Sequence, residues 1–205
     1  MKKKYLLIIL LITISLSSFG QTNGDFRSIA SGTWTSTSSW QIYNGGWVST
    51  TSYPGQSAGT NTVTIQVGHT ITILPTTTVI PNEIKELKIF GTFILGDNSS
   101  NNLRELTLTT SLIIIESTGT ITINGPKVRL SLPKNDSVID IEFGGKINGD
   151  CTNNDEIFIG TPSKKYAVCA GSGAAGVFTF GEVVASGGNI NSNIIIPSNA
   201  TTICN

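Results

Sequence analysis

Charge is scarce in this chain. Only 13% of its 205 residues are Asp, Glu, Lys or Arg. A charge-rich disordered chain is thereby excluded, and an abundance of Thr, Ile and Val where charges would stand argues against a helical bundle. Basic runs are absent beyond Lys2, Lys3 and Lys4. Without clustered Lys and Arg to neutralise phosphates, no nucleic-acid partner is expected. Histidine occurs once, as His69, with no neighbouring cluster and no Ser-His-Asp signature, so it reads as a structural or solvent-facing residue. The three cysteines, Cys151, Cys169 and Cys204, lack the paired spacing of a zinc site. Three bridges are possible among them, each leaving one thiol over, and Cys151–Cys169 is the disulfide expected. Long apolar runs are also missing. The longest, Tyr5 to Leu16, is shorter than the ~20 residues a spanning helix needs.

That run has another reading. A basic start, an apolar stretch and the small residues Ser18 and Gly20 make residues 1–20 a signal peptide, cleaved before Gln21. No cysteine stands at the cleavage point, which argues against a lipid anchor. Removing the segment takes away three lysines and no acids, leaving a formal net charge of −3. The expectation is an exported protein, secreted, cell-surface or periplasmic, with no integral membrane segment after processing.

What the chain does have is a returning pattern over 63–147: a glycine, a small polar residue, then alternating apolar and polar positions. It appears as Val67-Gly68-His69-Thr70-Ile71, Phe90-Gly91-Thr92-Phe93, Thr118-Gly119-Thr120-Ile121 and Phe143-Gly144-Gly145-Lys146-Ile147. The glycines step by 23, 28 and 25 residues. Period-2 alternation of β-branched residues is the strand signal, and a repeat of this length suggests one coil of a solenoid per step. Pro81 to Leu87 has helix-forming Glu83, Lys85 and Glu86, but it runs straight into the alternating Leu87-Lys88-Ile89, so strand or turn is expected there. The organisation predicted is an aromatic-rich cap and first coil over 21–60, β-helix coils over 61–149, and a cysteine-containing C-terminal coil and excursion over 150–205. Gly187-Gly188-Asn189-Ile190-Asn191 echoes Gly144–Asn148 and suggests one last coil.

Gly32-Thr33-Trp34, Trp40, Pro54-Gly55, Asn61-Thr62-Val63-Thr64-Ile65 and Gly68-His69-Thr70-Ile71-Thr72-Ile73 together resemble the opening of secreted, adhesin-like β-helix proteins of Gram-negative bacteria. The pattern is also distantly similar to the extracellular eight-glycine domain. The likeness covers residues 31–73, and only the repeat rhythm continues beyond it. It implies a right-handed parallel β-helix and a role in attachment or glycan recognition. The family often has Asp where this chain has Asn61, and nothing after Phe178 looks like the sorting module of its large members.

Trp34, Trp40, Tyr43, Trp47 and Tyr53 are the candidate ligand-binding residues, because aromatic faces stack on the C–H surfaces of sugars. The competing use is burial over the solenoid end, each ring removing about 150–250 Å² from water. Asp140 and Glu142 alternate with Ile139, Ile141 and Phe143 and project outward, Cα atoms about 6.6 Å apart, as a glycosidase pair would require. A solvated face paired with Lys127, Arg129 or Lys146 on neighbouring strands is the simpler explanation, and it is the one expected. Asp150, Asn153, Asn154, Asp155 and Glu156 offer oxygen ligands but no recognised calcium-loop spacing. Thr-x-Thr pairs at 62/64, 70/72, 107/109 and 120/122 would order water if stacked in register, but their steps of 8, 37 and 13 residues do not match one coil each. The reading is therefore an all-β protein, a short right-handed parallel β-helix with capped ends or alternatively a β-sandwich. As a function it predicts a secreted, non-enzymatic, adhesin-like module for extracellular polysaccharide, with no cofactor, metal or catalytic residue. The alternatives are a polysaccharide-degrading enzyme using outward carboxylates and a purely structural extracellular protein.

Overall fold

The computed structural model describes residues 20–73, 78–96, 104–123, 128–134 and 136–149, together with five later strands. The chain is all-β, and its strands form three sheets that are largely parallel. The first sheet holds Phe26–Ser28, Thr60–Ile65, Ile84–Ile89, Thr110–Ile115 and Val138–Ile141, paired in parallel in that order. The second holds Gly32–Thr33, Thr70–Ile73, Thr92–Leu95, Thr120–Ile123 and Lys146–Gly149, and every pairing in it is parallel. The third runs through Thr78–Val79, Arg104–Thr107, Val128–Leu132 and Glu156–Ile159. From Thr60 to Ile159 the chain visits first, second and third sheet in rotation, and within 81–87 the strand begins at Ile84, with no helix in the segment.

The registers explain the apolar alternation. In the first sheet Val63, Leu87, Ile113 and Ile139 are successive partners, as are Ile65, Ile89, Ile115 and Ile141, and all eight are fully buried. In the second sheet Ile71, Phe93, Ile121 and Ile147 make the same kind of column. Each such side chain taken from water contributes about 1.5–3 kcal/mol. A register slip of one residue would turn every column outward.

Both ends of the first sheet are antiparallel. At one end Trp40–Tyr43 pairs with Phe26–Ser28, and Trp47–Ser49 pairs with Trp40–Tyr43. At the other, Ile194–Pro197 pairs with Val138–Ile141. The third sheet is extended by Lys164–Cys169, Val177–Phe180 and Val183–Ser186, each antiparallel to the one before. The expected last coil is therefore not what the described strands after Ile159 form. They fold back instead, and the Gly187–Asn191 echo lies outside the described residues. Cys151, Cys204 and the side chain of Cys169 lie outside them too, as do residues 1–19. Among the described residues no helix is long and apolar enough to cross a membrane.

Candidate functional site

The five candidate aromatics divide into core and surface. Trp34 and Trp40 are each 1% exposed. Their rings meet edge to face at 5.3 Å, and Trp34 also lies 5.5 Å from Phe93. Both indole N–H groups are satisfied internally. Trp34 Nε1 donates to the Pro54 carbonyl at 3.0 Å and Trp40 Nε1 to the Trp34 carbonyl at 2.8 Å. Buried and bonded in this way, neither offers a face to a ligand, which corrects the expectation for these two. The motif that contains them is a structural lock. A Cβ on Gly32 would strike the Ser39 hydroxyl, and the Gly55 N–H is held by Thr60 Oγ1 at 3.0 Å.

His69 belongs to the same lock. Its Nδ1 stands 2.8 Å from Ser28 Oγ, and that oxygen also accepts the Gln66 N–H at 2.9 Å. Ser28 is fully buried, so the pair ties the Gly68-His69 turn to the first strand rather than presenting a nucleophile. Forty-one residues separate the two, and no periodic signal links them in the sequence. Asn61 Nδ2 donates to the Asn23 carbonyl at 2.7 Å, a bond that an ionised Asp could not make.

Tyr43 and Trp47 are different. They face each other across the terminal hairpin, ring centroids 5.4 Å apart, and both are half-buried. Arg27 Cζ lies 4.3 Å from the centre of a Trp47 ring, a cation–π contact, while its Nε and Nη2 donate to Gln41 Oε1 at 3.0 and 2.7 Å. Arg27, Gln41, Tyr43 and Trp47 thus form one patch on the outer face. Tyr53 is on the other side. It lines a shallow pocket with Phe26 and Ile42, and Ile42 alternates with Gln41 and Tyr43 along its strand.

Asp140 and Glu142 lie close enough to Glu116 for their charges to act on it. In register, Asp140 lies between Ile114 and Ile195, while Lys146 pairs with Thr120 on the second sheet and Arg129 with Glu105 and Glu156 on the third. Lys127 lies outside the described residues. Asp140 Oδ1 is buried with no hydrogen-bond partner among the described residues. Burial, then the neighbouring Glu142 charge, raises the Asp140 carboxyl above its ordinary 3.8. Glu116 is raised above 4.5 by burial first and by Glu142, Asp140 and Glu86 besides, with Lys88 opposing.

A carboxyl whose folded-state value is raised binds its proton more tightly in the native state than in the unfolded chain. Stability therefore falls as pH rises from about 4 through the raised values. Thermal melts from pH about 4 to pH 7 are expected to show this decline, and Glu116→Gln to flatten it and raise the melting temperature at neutral pH. A variant profile parallel to the wild-type one would show that Glu116 is not its source.

Among the described residues no three His, Cys, Asp or Glu side chains are grouped to hold a metal ion. The Asp150–Asp155 ligand set lies outside them, and of Glu156 only the backbone is described. No family model, curated protein or solved structure matches the chain.

Proposed function

We propose that the protein is a secreted, non-enzymatic, adhesin-like module that binds extracellular polysaccharide, built on a short right-handed parallel β-helix with capped ends. The rotation of the chain through three largely parallel sheets supports the scaffold, and the strong right-handed preference of parallel crossover connections supports its hand. The antiparallel strands at the ends are the caps in this reading, covering edges that would otherwise stay unpaired. The signal-like start of the chain supports export.

The patch of Arg27, Gln41, Tyr43 and Trp47 carries the binding proposal. It joins two aromatic rings to planar hydrogen-bonding groups already oriented by one another. Arg27 occupies one face of the Trp47 indole, so a sugar ring would stack on the opposite one. The amide nitrogen of Gln41 and the remaining guanidinium N–H groups would donate to its hydroxyls. A neutral or acidic sugar suits this set. Rotamers held by stacking also lose little entropy on binding.

A glycan array and polysaccharide pull-down of the mature secreted chain test the reading. Trp47→Ala is expected to weaken the best ligand at least about tenfold, about 1.4 kcal/mol, with an unchanged circular dichroism spectrum. A wild-type chain that retains no glycan, or a variant that binds as well as wild type, would overturn it.

A further inference from the structure

The outer face of the five-stranded second sheet differs chemically from the other two. Its inward residues are the buried Ile71, Phe93, Ile121 and Ile147 column, so the residues on either side of each point outward. In register these form two rows. Thr70, Thr92, Thr120 and Lys146 are partners in one row, and the Thr70 N–H donates to Ser31 Oγ at 2.8 Å, bringing Ser31 to its head. Thr33, Thr72, Ile94 and Thr122 are partners in the other. The sequence steps concealed this array for a simple reason. The 62/64 pair belongs to the first sheet and Thr107 to the third, and the strand between 70/72 and 120/122 contributes Thr92 and Ile94.

Charge separates the faces further. Outward rows of the first sheet include Arg27, Glu86, Lys88 and Asp140, and the third carries Glu105 and Arg129 side by side. On the second sheet the described outward side chains include a single charge, Lys146, and it lies on the last strand. Among the described residues the hydroxyls of Thr70, Thr72, Thr92, Thr120 and Thr122 have no protein hydrogen-bond partner, which contrasts with Thr62, whose Oγ1 donates to Glu86 at 3.0 Å.

From this array we propose that the second sheet's outer face is an ice-binding surface, its ligand the ordered water of an ice crystal face. Parallel strands set like residues about 4.8 Å apart across the sheet, and alternation sets them about 6.6 Å apart along each strand. Both spacings lie near oxygen repeats on the surface of hexagonal ice. β-Branching holds each threonine near one rotamer, so methyl and hydroxyl positions are fixed before water arrives. The hydroxyls anchor water by ordinary hydrogen bonds while the methyls order the water between them. A charged side chain would impose its own hydration shell instead, and the face has none within its middle strands. This surface is separate from the Trp47 patch, so the two proposals stand or fall independently.

The test is ice-recrystallisation inhibition and ice-crystal shaping by the mature secreted chain. Thr92→Lys places a cation in the middle of the array and is expected to cost at least about tenfold in potency. Thr120→Lys does the same one strand on and serves should Thr92→Lys fold poorly. Thr64→Lys puts the same charge on the first sheet and is expected to leave the activity unchanged, as is Trp47→Ala. A wild-type chain that affects ice no more than serum albumin would overturn the proposal, and so would an equal loss in Thr64→Lys.

Discussion

Trp34→Ala is expected to destabilise the protein by about 3–5 kcal/mol, the range for deleting a large, fully buried aromatic. The ring lies against Trp40 and Phe93, and Phe93 is a member of the buried column of the second sheet. Removal leaves a cavity at the head of that column and strips the Pro54 carbonyl of its donor. The Trp34 N–H, bonded to the Thr72 carbonyl at 2.9 Å, is backbone and survives the substitution, so the loss is one of packing and of the indole bond. Trp34→Phe separates these contributions, since it keeps most of the ring volume and still orphans the carbonyl, at about 1–3 kcal/mol. At a chain of this size the alanine variant should melt roughly 6–20 °C lower. Trp47→Ala, by contrast, removes a half-buried surface ring and should cost about 1 kcal/mol or less. Equal losses at the two positions in urea or thermal unfolding would contradict the division of the tryptophans into core and surface.

That division was not legible in the sequence. Both kinds of tryptophan sit among Ser, Thr and Gly, and what sorts them is long-range. Trp34 follows a strand paired to Thr70–Ile73, whereas Trp47 opens the outermost strand of the first sheet. The strands themselves were legible, because a column such as Val63, Leu87, Ile113 and Ile139 imposes strict alternation on each segment that supplies a member. Pairing partners were not. Alternation says that two faces exist but not which strand lies beside which, and so the Thr rows of the second sheet stayed scattered in the linear order. Asp140 shows the same limit: its outward position was readable, but its place beside Ile114 and close to Glu116 follows from registers 26 residues apart.

The recurring glycines show how a correct pattern can carry two meanings. Strand registers align Thr70, Thr92, Thr120 and Lys146, so the residues just before them, His69, Gly91, Gly119 and Gly145, are equivalent. The hydrogen bonds agree. Thr92, Thr120 and Lys146 donate to the carbonyls of His69, Gly91 and Gly119 at 2.9, 2.9 and 3.0 Å. Gly68 and Gly144 fall one position earlier and both have positive φ, +80° and +93°. The apparent 23-28-25 spacing therefore mixed two kinds of glycine.

Their responses to substitution should differ in sign of preference. At Gly119 a Cβ would collide with the Ile89 carbonyl oxygen and lie 3.1 Å from the Glu116 nitrogen, so the backbone of adjacent strands must part. Gly119→Ala is expected to cost about 3 kcal/mol or more, and Gly119→Asn, being larger, to cost more still. At Gly68 a Cβ meets nothing within 4 Å, and only the left-handed backbone resists it. Gly68→Ala should cost about 1–2 kcal/mol, and Gly68→Asn less, because Asn tolerates that region. Unfolding free energies of the four variants decide the matter. If Asn were the milder replacement at both positions, conformation rather than space would govern Gly119, and the close approach of the neighbouring backbone would not be the reason for glycine there.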